Sequence, residues 1–169
     1  MACRGVFFAL TVEELSALNA AASDQARLEI VQEEIENKWD VANLQEVDKA
    51  WEAIHRILSQ QSPEVEGISN DYGSFLLNQV IFGSKQLYSE SDYLINLNEP
   101  DEVNAIADAI ESLDEKWFRE QFKRYCSGAY PYAGSEEDED YSWGWFQSVC
   151  DFYVKQRGSG RPVIFTVDF

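Results

Sequence analysis

The sequence predicts an α+β fold in which several helices pack around a small sheet that includes the N- and C-terminal strands, as a single domain over residues 1–169. Three observations carry this expectation. Runs rich in β-branched and aromatic residues stand at both ends of the chain, at residues 3–10 and 163–167. Between them, apolar residues recur mostly at helical spacing. With 169 residues, 45% of them hydrophobic and 14% aromatic, the chain is rich enough in apolar side chains for one core. A chain of this length buries about 70% of the surface its unfolded form exposes.

Residues 3–10 (Cys-Arg-Gly-Val-Phe-Phe-Ala-Leu) form the first predicted strand. Thr11 and Glu14 then have the spacing of a capping box, which starts a helix running to about Ala21. A second helix is predicted over residues 23–39, with Leu28, Val31, Ile35 and Trp39 on one face and Glu29, Glu33 and Glu36 on the other. A third, over residues 44–60, places Val47, Trp51, Ile54, His55 and Leu58 on one stripe. Residues 62–73 hold Pro63, Gly67, Asn70, Asp71 and Gly73 and read as a loop.

Residues 75–82 suit a buried helix or a strand; the helix, ended by Gly83, is preferred. A short strand at 93–97 precedes a helix that starts at Asn98, has Pro100 in its first turn and carries Val103, Ile106, Ala107, Ile110 and Leu113 as its stripe. Asp114 caps the next helix, where Trp117, Phe118, Phe122 and Tyr125 share a face and Lys123 and Arg124 sit in the last turn, as the helix dipole favours. Residues 127–140 read as a surface loop. The last helix covers 141–157 with Trp145, Val149, Phe152 and Tyr153 inward, Gly158-Ser159-Gly160 stops it, and residues 163–167 form the closing strand.

Charge sets the first limits on function. The chain has 31 Asp and Glu against 13 Lys and Arg, a net charge of −18. Binding a phosphate backbone needs cationic side chains to displace counterions, so nucleic acid is excluded as a first guess, and anionic membranes are disfavoured for the same reason. Three cysteines, Cys3, Cys126 and Cys150, are too few and too scattered for a disulfide framework or a paired zinc site. The short apolar run before Glu13 and Glu14 is cut off too soon for a signal peptide, and no stretch approaches the roughly 20 apolar residues that span a bilayer. A cytoplasmic protein without a cofactor or metal is the expectation.

His55 is the only histidine, and thus the only side chain whose unperturbed pKa lies in the physiological range. Asp48, Trp51 and Glu52 lie on the same predicted helix, where a carboxylate one turn away orients an imidazole or raises its pKa. Two readings stay open: a structural histidine on the apolar stripe, or an acid-base or binding group. Neither an HExxH sequence nor a G-x-S-x-G elbow is present. Gly158-Ser159-Gly160-Arg161 follows a helix and precedes a strand, the wrong order for a phosphate loop.

The run Glu136, Glu137, Asp138, Glu139 and Asp140 lacks the glycine-punctuated spacing of a calcium loop. Tyr130, Tyr132, Tyr141, Trp143 and Trp145 flank it. Aromatic side chains anchor interfaces and charge speeds encounter, so Glu136 to Asp140 with Tyr141 and Trp143 have the composition of a site for a basic partner. A solvated loop with ordinary aromatics is the competing reading.

End to end, the chain resembles the YfbM-like family, a bacterial domain of unknown function. The resemblance rests on Gly5-Val6-Phe7-Phe8-Ala9-Leu10 before a helix, and on residues 47–58, whose Asp48-Lys49-x-Trp51-x-x-x-His55 is similar to a helix of the family. Residues 103–122 resemble its paired helices around Leu113-Asp114, and residues 158–167 its final glycine-strand close. The resemblance implies a compact α+β fold, brings no activity, and singles out Asp48, Trp51 and His55 beyond packing. The expectation that follows is an interaction module, such as an immunity protein or inhibitor of a basic toxin, and not an enzyme; the alternative is a small enzyme or ligand-binding domain using the Asp48, Trp51 and His55 face.

Overall fold

The computed structural model describes residues 3–60, 76–90, 92–128 and 134–168. Its centre is a five-stranded antiparallel sheet ordered β2-β1-β5-β4-β3. The terminal strands β1 (Gly5–Ala9) and β5 (Val163–Asp168) lie side by side in the middle, with Phe7 opposite Phe165. β4 (Tyr93–Asn98) flanks β5, and β3 (Lys85–Glu90) and β2 (Leu44–Asp48) form the edges.

Helices cover both faces, and the period-2 alternation of the strands sorts the core between them. Phe7, Ala9, Leu94, Val163, Phe165 and Val167 face one layer, built from α3 (Trp51–Ser59), α4 (Gln79–Phe82), α5 (Pro100–Ile110), α6 (Glu115–Tyr125) and α7 (Glu136–Gln156). Val6, Phe8, Leu10, Ile95, Leu97 and Ile164 face the other, where α1 (Val12–Ala20) supplies Leu18 and a π-helical segment (Val31–Glu36), continuing α2 (Asp24–Ile30), supplies Val31 and Ile35. Burial on both faces explains why β1 and β5 read as unbroken apolar runs.

Local signals placed the starts of three helices. Thr11 and Glu14 close the capping box of α1, Ser23 accepts from the Ala26 amide to start α2, and Asp114 accepts from the Trp117 amide to start α6. α4, preceded by a 3-10 turn (Leu76–Asn78), ends at Gly83 with a φ of +65°. The loop expected at 62–73 lies outside the described residues, as does Phe75.

Several expectations need correction, among them that Trp39 faces inward and Glu36 outward on one helix over 23–39: past α2 the π-helical turn leaves Trp39 exposed and brings Glu36 onto the Thr166 hydroxyl. Residues 44–48 are a strand, not the start of a helix: Leu44 to Glu46 pair with β1, Asp48 turns the chain at a φ of +47°, and only then does α3 begin. β3 was not expected at all; its polar residues belong to an edge, and it pairs with β4 alone. β4 runs on through Asn98, so α5 is capped by Glu99 instead, with Glu102 bonding back to the Glu99 amide at 2.7 Å. The acidic run of the predicted loop is the first turn of α7, which starts five residues before the expected position. Ser135 and Asp138 form its capping box, and carboxylates in a first turn meet the positive end of the helix dipole. No helix among the described residues is long and apolar enough to cross a membrane.

Candidate functional site

The N-terminal half of α7 sorts its acidic run by helical geometry. Glu139 turns inward and is buried against α6, where Arg119 bonds it at 3.1 Å and Lys123 lies 3.8 Å away. The same guanidinium reaches Glu115 at 2.6 Å and Asp140 at 2.7 Å, so three carboxylates hold its pKa above the ordinary arginine value. Asp138 is engaged in the cap. Glu136 and Glu137 remain exposed and make no ion pair among the described residues.

One turn beyond Glu137, Tyr141 is 40% exposed, and its hydroxyl donates to Asp48 Oδ2 at 2.8 Å. Arg4 Nε lies 3.4 Å from the other oxygen, Oδ1. The Trp145 ring meets the Tyr141 ring edge-on at 6.4 Å. Partial burial first, then the Asp48 carboxylate, push the Tyr141 phenol above its ordinary pKa, so it stays a protonated donor. Gly144 is exposed one turn after Tyr141, and beyond its chain neighbours and its own helix backbone nothing lies within 4 Å of where a Cβ would sit. The result is an acidic and aromatic surface made by Asp48, Glu137 and Tyr141, with Trp145, partly buried against the core as its predicted inward placement implies, at its edge.

The fold thus joins two sets of residues that the sequence listed separately, through Asp48 from one and Tyr141 from the other. The remaining members go elsewhere. Trp51 is buried, with its indole N–H donating to the Cys3 carbonyl at 3.0 Å and its ring against Phe82 and Phe165. His55 is 1% exposed and edge-on to Phe82 at 4.3 Å between centroids. Trp51 and His55 therefore lie in the core layer beneath α3 and share no open surface with Asp48. Trp143 packs on Phe118 at 5.4 Å and Phe146 at 6.0 Å, facing α6 with Glu139. Tyr130 and Tyr132 lie outside the described residues.

Arg4 and Arg119 were missed. The i,i+4 spacing of Glu115 and Arg119 is visible in the sequence, but the link to α7 spans 20 residues and is not. Among the described residues, no group of three or more His, Cys, Asp or Glu is arranged to hold a metal ion. Burial pushes the Cys126 and Cys150 thiols up to about 12, which keeps them protonated and unreactive at neutral pH.

A family model described as a domain of unknown function, DUF1877, matches residues 1–166. Among solved structures, the chain is similar to a protein of unknown function, YfbM, from Escherichia coli, with 21% identity over 99% of each chain and a TM-score of 0.55. At that identity the likeness speaks for the fold. None of the curated proteins matches the chain.

Proposed function

The chain belongs to the DUF1877 family, a domain of unknown function, and from that premise we propose that it is a protein-interaction module for a basic protein, such as an immunity protein or inhibitor holding a toxin or an enzyme. The observation that carries this reading is exposed Glu137 one helical turn before Tyr141, whose ring is held by the bond to Asp48, with exposed Glu136 next to it in the same first turn. Tyrosine supplies large contact area with little conformational freedom to lose, and its tether to Asp48 lowers that loss further. Exposed carboxylates that pair with no cation among the described residues, on a chain of net charge −18, attract a basic surface from a distance. Gly144 leaves a flat spot beside Tyr141 and Trp145 where another chain can approach closely.

The test is capture from lysate, and co-expression with the product of the neighbouring gene, followed by kinetics on the complex. A stoichiometric basic partner is expected, with affinity that falls as salt rises. Reversing Glu136→Lys and Glu137→Lys together should slow association by roughly tenfold or more at low salt, whereas Tyr141→Ala should mainly speed dissociation. Absence of any salt-sensitive partner by both routes would overturn the proposal.

A further inference from the structure

The strand registers gather one end of the sheet beside the surface of Asp48 and Tyr141. Gly5 pairs with Asp48 on one side and with Val167 on the other, and Asp168 pairs with Tyr93, so Asp48, Arg4, Asp168 and Tyr93 follow one another across the sheet end. Arg4 joins two regions there. Its Nε lies 3.4 Å from Asp48 Oδ1, and the same residue lines a groove of about 430 Å³ on the side of the sheet that α2 covers. The surface of α7 and this groove are therefore contiguous.

The groove is acidic. Glu36, Asp92 and Asp168 line it, and its one cation, Arg4, already pairs with Asp48. Lys49, exposed next to Asp48 in the chain, is not part of the lining. Neither Glu36 nor Asp168 forms an ion pair with a described residue. Burial first, then Glu36 and more weakly Asp168, hold the Tyr93 phenol protonated, so both carboxylates act on the same spot.

Glu36 is set in place by the sheet. The Thr166 hydroxyl donates to its Oε1 at 2.9 Å and the Tyr93 hydroxyl donates to the same oxygen, while Oε2 accepts no hydrogen bond from the described residues. One open oxygen suits an ammonium, a compact charge, better than a guanidinium, whose planar fork engages both oxygens of a carboxylate. Val6 and Leu28 add apolar wall. A lysine stem lies along such a wall while its charged head reaches the carboxylates.

Resting on the interaction reading above, we propose that the footprint of the basic partner runs from Glu137 and Tyr141 across Asp48 and Arg4 into this groove, where a lysine of the partner places its ammonium against Glu36 and Asp168. Charge complementarity and the continuity of the two regions through Arg4 favour that occupant.

The test is a titration of the isotope-labelled protein at low salt, read by amide NMR. The probes are acetylated, amidated peptides of alternating lysine and glycine, the same peptides with arginine for lysine, and cadaverine. Lysine peptides should give saturable shifts both at Glu137 and Tyr141 and at Glu36, Tyr93 and Thr166, and should bind more tightly than the other probes. Glu36→Gln and Asp168→Asn should each weaken the lysine peptide about threefold or more, the scale of a partly exposed ion pair. Glu13→Gln, which removes the same charge beyond the far end of β1, should leave binding unchanged. Asp168→Asn, at an exposed position, decides the matter if the Glu36 variant unfolds. Shifts at Glu137 and Tyr141 alone would overturn the extension into the groove and leave the interaction reading standing. An equal loss in Glu13→Gln would overturn the extension too, by showing that only total charge counts. Cadaverine or the arginine peptide binding as tightly as the lysine peptide would overturn the lysine assignment. No saturable shift in either region would tell against both readings.

Discussion

Tyr141 and Asp48, 93 positions apart in the chain, are joined by a hydrogen bond of 2.8 Å that ties the first turns of α7 to the end of an edge strand. A phenol bonded to a carboxylate is a charge-assisted pair, and part of it is open to water, which limits its net worth. Tyr141→Phe removes the bond together with the contacts that the same oxygen makes with the Lys49 amide and the Trp145 indole. It should lower stability by about 0.5–1.5 kcal/mol, seen as a melting temperature a few degrees lower. Asp48→Asn keeps an acceptor and should lower it less. Equal losses in both variants would mean that the charge on Asp48, not the bond, holds this corner.

Alkaline pH should unfold the protein through its tyrosines. Tyr93, Tyr141 and Tyr153 all have phenols raised above the ordinary value, burial being the largest cause in each. In the unfolded chain they lose protons near pH 10, while the folded chain retains them. The folded state then binds more protons, so stability from this source is whole below about pH 10 and falls as pH climbs through the folded values. Urea denaturation between neutral and strongly alkaline pH measures it. Tyr93→Phe should flatten the alkaline limb; an unchanged limb would assign the pH dependence elsewhere.

Two glycines should respond to alanine in opposite directions. Gly83 has a φ of +65°, and a Cβ there would lie 2.6 Å from the Leu97 carbonyl oxygen, a backbone atom that cannot yield. Gly83→Ala should lose at least about 2 kcal/mol from left-handed strain and the clash. Gly144 lies in mid-helix with open space around it, so Gly144→Ala should gain about 1 kcal/mol and raise the melting temperature. If the stabilised Gly144 variant also binds its partner poorly, the glycine is kept for contact.

Arg119 compensates a carboxylate that water reaches poorly. Glu139 has 8% side-chain exposure and depends on Arg119 at 3.1 Å, with Lys123 more distant. Arg119→Met should therefore cost about 1–3 kcal/mol, the penalty for stranding a buried acceptor. Adding Glu139→Gln to it should recover part of the loss. Measured as a double-mutant cycle by chemical denaturation, additive effects would show that the two side chains do not depend on each other.

What was legible in the chain was whatever depends on near neighbours. The two central strands were visible because they are buried on both faces and so read as apolar runs. The starts of α1 and α6 were visible because a side chain three residues away satisfies the amide that each helix leaves open. Trp51 and His55 fell on the apolar stripe and do lie in the core. Glu136 to Tyr141 were singled out by composition, and Asp48 by family resemblance, but nothing local joined them.

Sequence by itself determined the α+β class, the central strands, the helical stripes and the family, since alternation, caps and periodicity act over a few residues. Tertiary structure alone decided the edges and the sites. Leu44 to Asp48 became a strand because β1 had an open side, and the acidic run became helix because Arg119 and the dipole end accept its charge. Glu36 faces Tyr93 and Thr166 because one widened turn rotated it onto the sheet. In each case the deciding partner lies far along the chain, where local pattern carries no information about it.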